Sequence, residues 1–256
     1  MKSPTLIGYS TIVHKEFTRI IRIWSQTLLP PVITTTLYFI VFGRFIGSQV
    51  APIDGYSYMQ YIVPGLIMMT IITSSYMNTV STFYFAKWQH TIDEILVSPM
   101  PSWAVVAGFV TGGMIRAALT GVLVIIVALL FTHLAVFNIL ILFVAAFLTA
   151  LLFALAGIVN AIYAKSFDAI TIVPSFVLTP LTYLGGVFYS ISLLPPLFRN
   201  ISLANPILYM VNAFRYGFLG VSDVRLTTCF AVIGGFTILM LVWVLLLFRN
   251  GAGLKK

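Results

Sequence analysis

The stretch 117–164, AALTGVLVIIVALLFTHLAVFNILILFVAAFLTALLFALAGIVNAIYA, runs for 48 residues without a charged side chain. As one helix it would reach about 72 Å, more than twice the hydrocarbon thickness of a bilayer. It must fold back once. Thr132, His133 and Asn138 are its most polar cluster and supply the turn, so the run predicts an antiparallel pair of membrane helices. The rest of the chain agrees. It is 60% hydrophobic and 8% charged with a mean hydropathy of +1.07, whereas soluble domains hold roughly 25% charged residues. A disordered chain needs the opposite balance, and a soluble enzyme with one apolar core is excluded as well.

Working outward, each uncharged run can be measured against the roughly 20 residues that a span needs. The run between Arg22 and Arg44 predicts a span at about 25–45, and the run between Asp54 and Lys87 one at 58–84. The folded-back run gives 104–131 and 138–163. In 169–198, Pro174, Pro180, Gly185-Gly186 and Pro195-Pro196 interrupt any long helix, since proline removes a backbone donor and clashes with the preceding turn. This predicts a fifth span at 168–189 and an extracytoplasmic re-entrant or interfacial segment at 190–221. The sixth span is 226–248. The expected fold is therefore all-α, one transmembrane domain over 1–256 with six spans and both termini on one side. Lys2, Lys15, Arg19, Arg22, Lys87, Lys165, Arg249, Lys255 and Lys256 would share that side, against Arg44, Arg199, Arg215 and Arg225, which places the termini in the cytoplasm. The N-terminus lacks the apolar region and cleavage site of a removable signal, so the first span is expected to direct insertion. Cys229 is the lone cysteine and can form no intrachain disulfide.

Three polar features stand outside this pattern. In 1–24, Val13, Phe17, Ile20 and Trp24 recur at helical spacing with Lys15, Arg19 and Arg22 opposite. That is a basic amphipathic helix lying in the interface with its bases toward anionic headgroups; it either only anchors the chain or also touches a cytoplasmic partner. The link 87–99 carries Asp93 and Glu94, and Thr91 and Glu94 have capping-box spacing. A short helix is expected there, stopping at Ser98-Pro99, with Trp88, Ile92 and Ile95 on one face and His90, Asp93 and Glu94 left available. It reads as a solvated turn or as a docking element. Arg116 falls about 18 Å into the third span, where a charge costs at least about 2.5–3.5 kcal/mol. It either faces a polar path or a substrate, or it snorkels toward the cytoplasm while Gly112 and Gly113 allow close packing.

Much chemistry is missing. Glu16, Asp54, Asp93, Glu94, Asp168 and Asp223 all fall at span ends or in links, so the spans lack the carboxylate that a proton-coupled transporter uses. The phosphate-cradling G-x-x-x-x-G-K-[ST] loop, H-E-x-x-H and G-x-S-x-G are absent, and His14, His90 and His133 are far apart; no catalytic, cofactor or metal site is expected. The spans offer no repeated polar lining of a channel. A net charge of +8 reflects topology rather than nucleic-acid binding. What fits is a passive membrane half that borrows energy from a separate cytoplasmic ATPase through the acidic link; the alternative is a secondary transporter or a channel subunit uncoupled from ATP.

The order of elements, with Gly185-Gly186-Val187-Phe188, Leu194-Pro195-Pro196, Asn205-Pro206 and Phe214-Arg215-Tyr216, resembles the ABC type-2 exporter permease family over nearly the whole chain. That resemblance implies an inner-membrane subunit that forms a homodimer, pairs with two ATPase subunits and leaves ATP to those partners. Lys15 and Arg19 of the first helix, and His90, Thr91, Ile92, Asp93 and Glu94 of the link, would receive the ATPase stroke. Residues 190–221, with Gly185, Gly186, Pro195, Pro196, Asn205 and Pro206 at their turns, would be the re-entrant helices. Arg116 belongs to no family motif and is the substrate-path candidate. Relatives move drugs, lipids and lipid-linked saccharides, so an amphiphile is expected. Tyr183, Phe188, Tyr189, Tyr209, Phe214 and Tyr216 would either meet it or form an interfacial belt against membrane lipids.

Overall fold

The computed structural model describes residues 3–47 and 49–251, with the side chains of Arg44 and Leu96 outside the description. Lys2, Lys255 and Lys256, assigned above to the cytoplasm, lie outside the described residues. The chain runs through α1 (Pro4–Arg22), α2 (Trp24–Thr27), α3 (Leu29–Tyr38) with a π-helical continuation Phe39–Ile46, α4 (Tyr58–Trp88), α5 (Thr91–Val97), α6 (Ser102–Ala128) and α7 (Ile139–Tyr163). It continues through α8 (Ala169–Val173), a π-helical Pro174–Leu178, α9 (Thr179–Tyr183), α10 (Pro196–Leu203), α11 (Pro206–Leu219) and α12 (Leu226–Asn250). Among the described residues the only β pairing is an isolated bridge between Ile53 and Tyr56.

Helix α4 is the axis, packed by α6, α7 and α11. It starts at a capping box in which Ser57 Oγ accepts from Gln60 N while Gln60 Oε1 accepts from Ser57 N. Most of its length is buried, including Thr70, Ser74, Ser75, Asn78, Thr79 and Thr82. Its neighbours come close because small residues face it. A Cβ on Gly157 of α7 would stand 2.8 Å from the Tyr76 carbonyl oxygen, the close approach that small residues permit between membrane helices.

Among the described residues, four helical stretches are long and apolar enough to cross a bilayer: Trp24–Gly43, Ser102–Ala128, Ile139–Tyr163 and Leu226–Asn250. They coincide with four of the expected spans. The expected second span lies in α4, which has the length but less apolar character, because its side chains meet other helices instead of lipid. The expected fifth span, 168–189, is shorter than read: three five-residue segments end at Tyr183, a rise of about 22 Å. After it the chain turns at Gly186, whose φ of +70° glycine adopts without strain.

Prolines orphan backbone carbonyls, and neighbouring helices satisfy them. Pro174 cannot donate to Ile170 O, which accepts from Asn160 Nδ2 of α7 at 3.1 Å. Likewise Pro31 cannot donate to Thr27 O. The expected turn forms at 129–138, with Asn138 Oδ1 capping α7 by accepting from Leu140 N and Ile141 N, each at 3.1 Å. Phe248 of α12 packs on Phe83 near the end of α4, and Lys87 Nζ donates to Ile162 O of α7. The C-terminal ends of α4, α7 and α12 therefore share one end of the bundle.

Candidate functional site

At that same end α1 lies along α6. Its buried stripe is Ile12, Glu16 and Ile20, received by small residues of α6: a Cβ on Gly108 would meet Ile12, and one on Gly112 would stand 2.7 Å from Glu16 Cγ. Tyr9 and Thr111 join their hydroxyls at 3.0 Å. This docked stripe shares only Ile20 with the apolar face that spacing gave for the membrane interface. Phe17 and Trp24 are exposed, and Arg19, expected among the headgroup-facing bases, turns inward. Its Nη2 donates to Asn78 Oδ1 at 2.7 Å and lies 3.5 Å from Glu16 Oε2, which also accepts from Asn78 Nδ2 at 3.4 Å. Burial pushes the Glu16 carboxyl above the usual carboxylate range, with the nearby Arg19 charge opposing it less strongly. Burial likewise lowers Arg19.

The link forms α5, as expected, but not by the expected cap. His90 is the N-cap in the left-handed region at φ 60°, no side chain caps the helix, and Thr91 is already its first residue. With Thr91 inside the helix, a reciprocal bond to Glu94 is geometrically lost, and His90 Nδ1 pairs with Asp93 Oδ2 at 3.0 Å instead. Ile92 is buried, while His90, Asp93 and Glu94 are exposed. Between α1 and α5 lies a groove of about 570 Å3 bounded by Ile7, Thr11, Lys15, Glu94, Ile95 and Met100. It brings Lys15 and Glu94 to one surface; His90, Thr91 and Asp93 do not line it, and Arg19 belongs to the buried cluster.

Arg116 reaches toward the start of the Trp24–Gly43 stretch and pairs with no acid among the described residues. Its Nη2 donates at 3.1 Å to Thr27 O, the carbonyl that Pro31 leaves unsatisfied, while its Nε is buried without a partner. The residue lines a second groove, of about 390 Å3, between α3 and α4, with Gln26, Thr34, Tyr38, Thr73 and Ser81 among its walls. Beside it, Tyr38, Phe42, Tyr183 and Phe188 form an aromatic cluster, with Tyr183 and Phe188 stacked at 5.6 Å and the Tyr38 and Tyr183 hydroxyls 3.0 Å apart. Of the other singled-out aromatics, Phe214 is buried, Tyr209 donates to Leu203 O, and Tyr216 meets Phe137 edge-on.

At the opposite end, the glycine and proline motifs mark turns. Pro196 opens α10, and Asn205 caps α11 through Ile207 N at 3.0 Å while its Nδ2 donates to Leu181 O. Gly185 packs against Ile207. Their anchor escaped the sequence reading. Arg215 is completely buried, donates from Nη2 to Gly186 O at 2.6 Å and from Nε to Tyr61 O at 3.3 Å, and stands 3.9 Å over the Tyr61 ring. Asp223 lies 3.8 Å from Arg215 Nη1 and accepts from Tyr61 OH, Ser190 OH and Ile191 N. The available signal was that Arg215 is the only charge between Arg199 and Asp223.

The chain matches the ABC-2 type transporter family over residues 8–219. It is 50% identical to "Inner membrane transport permease YadH" of Escherichia coli strain K12 over 250 residues, 98% of each chain. More distantly, it is 24% identical to "Nodulation protein J" of Rhizobium leguminosarum bv. viciae, covering 77% of this chain and 78% of that one. The corresponding protein of Neorhizobium galegae is 23% identical over 86% of each. With its apolar helices and this likeness along its length, this chain belongs to the ABC-2 type transporter family as a transport permease of the inner membrane.

Proposed function

We propose that this permease is the membrane half of an ATP-driven exporter, working as a homodimer with two separate cytoplasmic ATPase subunits and moving an amphiphile. In this reading the chain crosses six times, with α4 and the short Ala169–Tyr183 helix as the second and fifth spans. The end that holds α1, α5 and the end of α12 faces the cytoplasm, and 190–221 folds back from the outer side. The observation that carries the reading is the α1–α5 groove: Lys15 and Glu94 line it at the bundle end where the basic residues gather. α1 rests on the buried Glu16–Arg19–Asn78 cluster, so a push on α5 or α1 has a rigid path to α4 and α6.

The test is co-purification with the ATPase subunit. Glu94→Lys combined with Asp93→Lys is expected to abolish the association while leaving the permease in the membrane. If the chain alone transports in ATP-free vesicles under a proton gradient, the reading is wrong and the alternative of a secondary transporter stands.

A further inference from the structure

The groove beside Arg116 carries a charge that the fold does not answer. No acid lines it. Arg116 donates to the neutral carbonyl of Thr27 and keeps a buried Nε without a partner. The charged group close enough to act on it is Arg19, of like sign, and the carboxyl of Glu16 is already engaged by Arg19 and Asn78. A guanidinium so placed favours an anion strongly, because its fork of donors matches phosphate and carboxylate oxygens. The remaining walls divide in kind: Gln26, Thr34 and Ser81 are neutral and polar, whereas Pro30, Met69 and Met77 are apolar. A volume of about 390 Å3 lies within the usual range of small-ligand sites.

We propose that this groove holds the anionic headgroup, a phosphate or carboxylate, of an amphiphile, with Arg116 as its ligand and the methionine wall receiving the start of its chain. The proposal rests on the permease reading and narrows its substrate class.

Binding can be measured without nucleotide or ATPase, by calorimetry on the purified chain in nanodiscs of zwitterionic lipid, with empty nanodiscs subtracted. Dodecyl phosphate is the probe; dodecyl trimethylammonium and dodecyl maltoside are the controls. The wild type is expected to prefer dodecyl phosphate. Arg116→Gln keeps a polar amide but lacks the charge, and should weaken dodecyl phosphate at least about tenfold, the loss of one charge-assisted contact. Arg116→Lys should fall between. Thr34→Phe alters an exposed groove wall while leaving the guanidinium in place, and should also weaken the probe; it decides the matter if Arg116→Gln does not fold. Unchanged affinity in the folded variant, or equal binding of dodecyl maltoside and dodecyl phosphate, would overturn the proposal. Inorganic phosphate that binds as well as dodecyl phosphate would overturn the amphiphile and leave a free-anion site. A wild-type chain that retains its ATPase partner yet ignores dodecyl phosphate would remove this inference alone.

Discussion

Glu16 shows how one side chain can govern the seating of a helix. Its carboxyl is buried against Gly112 and bonded to Asn78, and burial raises it above the ordinary value of 4.5. Below about 4.5 the carboxyl is protonated whether α1 is docked or free, so its contribution to docking is complete. As pH rises, the free form ionises while the docked form still holds its proton, and that contribution is lost through the docked pKa. Protection factors of the α1 amides, with exchange taken relative to the intrinsic rate at each pH, should therefore be higher at pH 5 than at pH 8. Glu16→Gln should flatten that difference; an equal pH slope in the variant would place the titration elsewhere. Arg215 poses the complementary case of a charge that never leaves the protein. Removing one partner of a buried pair strands the other at a cost of about 3–5 kcal/mol. Arg215→Met and Asp223→Asn should each lower thermal stability by that order, and Arg215→Lys should rescue little, because an ammonium cannot reach the Gly186 and Tyr61 carbonyls in the same fork.

At the scale of elements, packing follows small residues and prolines more than it follows the apolar pattern. Gly157 sets the distance between α7 and the axis α4, where an added Cβ would press the Tyr76 carbonyl at 2.8 Å and Val80 N at 3.1 Å. Both neighbours are backbone and cannot swing away, so Gly157→Val should destabilise by about 1–3 kcal/mol, read as a lower melting temperature of the purified chain. This also explains what the sequence made legible. A span bounded by charges, such as α12 between Arg225 and Arg249, could be measured directly, and so could the turn at Asn138 that ends α6 and begins α7. The docked face of α1 could not, because helical spacing marks Val13, Phe17, Ile20 and Trp24 as one apolar face for the interface, and only the Gly108–Gly112 surface of α6 selects Ile12, Glu16 and Ile20. The Thr91–Glu94 spacing was real but misleading: a left-handed His90 starts α5 one residue earlier. The role of Arg116 was illegible because Thr27 and Arg116 are 89 residues apart, although Pro31 announced an orphaned carbonyl. Lys15 and Glu94 could be singled out separately, but only the packing of α1 beside α5 brings them to one groove.

For the whole molecule, the decisive question is which wall avoids lipid. One wall is made by α3 and the Ala169–Tyr183 helix, joined through the Tyr38, Phe42, Tyr183 and Phe188 rings, and it adjoins the groove of Arg116. Turned to acyl chains, that guanidinium would incur at least about 2.5–3.5 kcal/mol. Helix α12 exposes Ile238, Leu239 and Val242, apolar side chains suited to lipid. A second copy facing the first wall would close a polar path between two Arg116 grooves and cover Phe176, which is 77% exposed. Phe176→Cys should then form an intermolecular disulfide under mild copper-phenanthroline oxidation in native membranes, giving a dimer band that reductant removes. Leu239→Cys, carried on α12, should remain monomeric. The native Cys229 is buried, so the unmodified chain should give no band and serves as its own control. Cross-linking at position 239 but not at 176 would reverse the assignment, putting α12 between the subunits and the Arg116 wall against lipid.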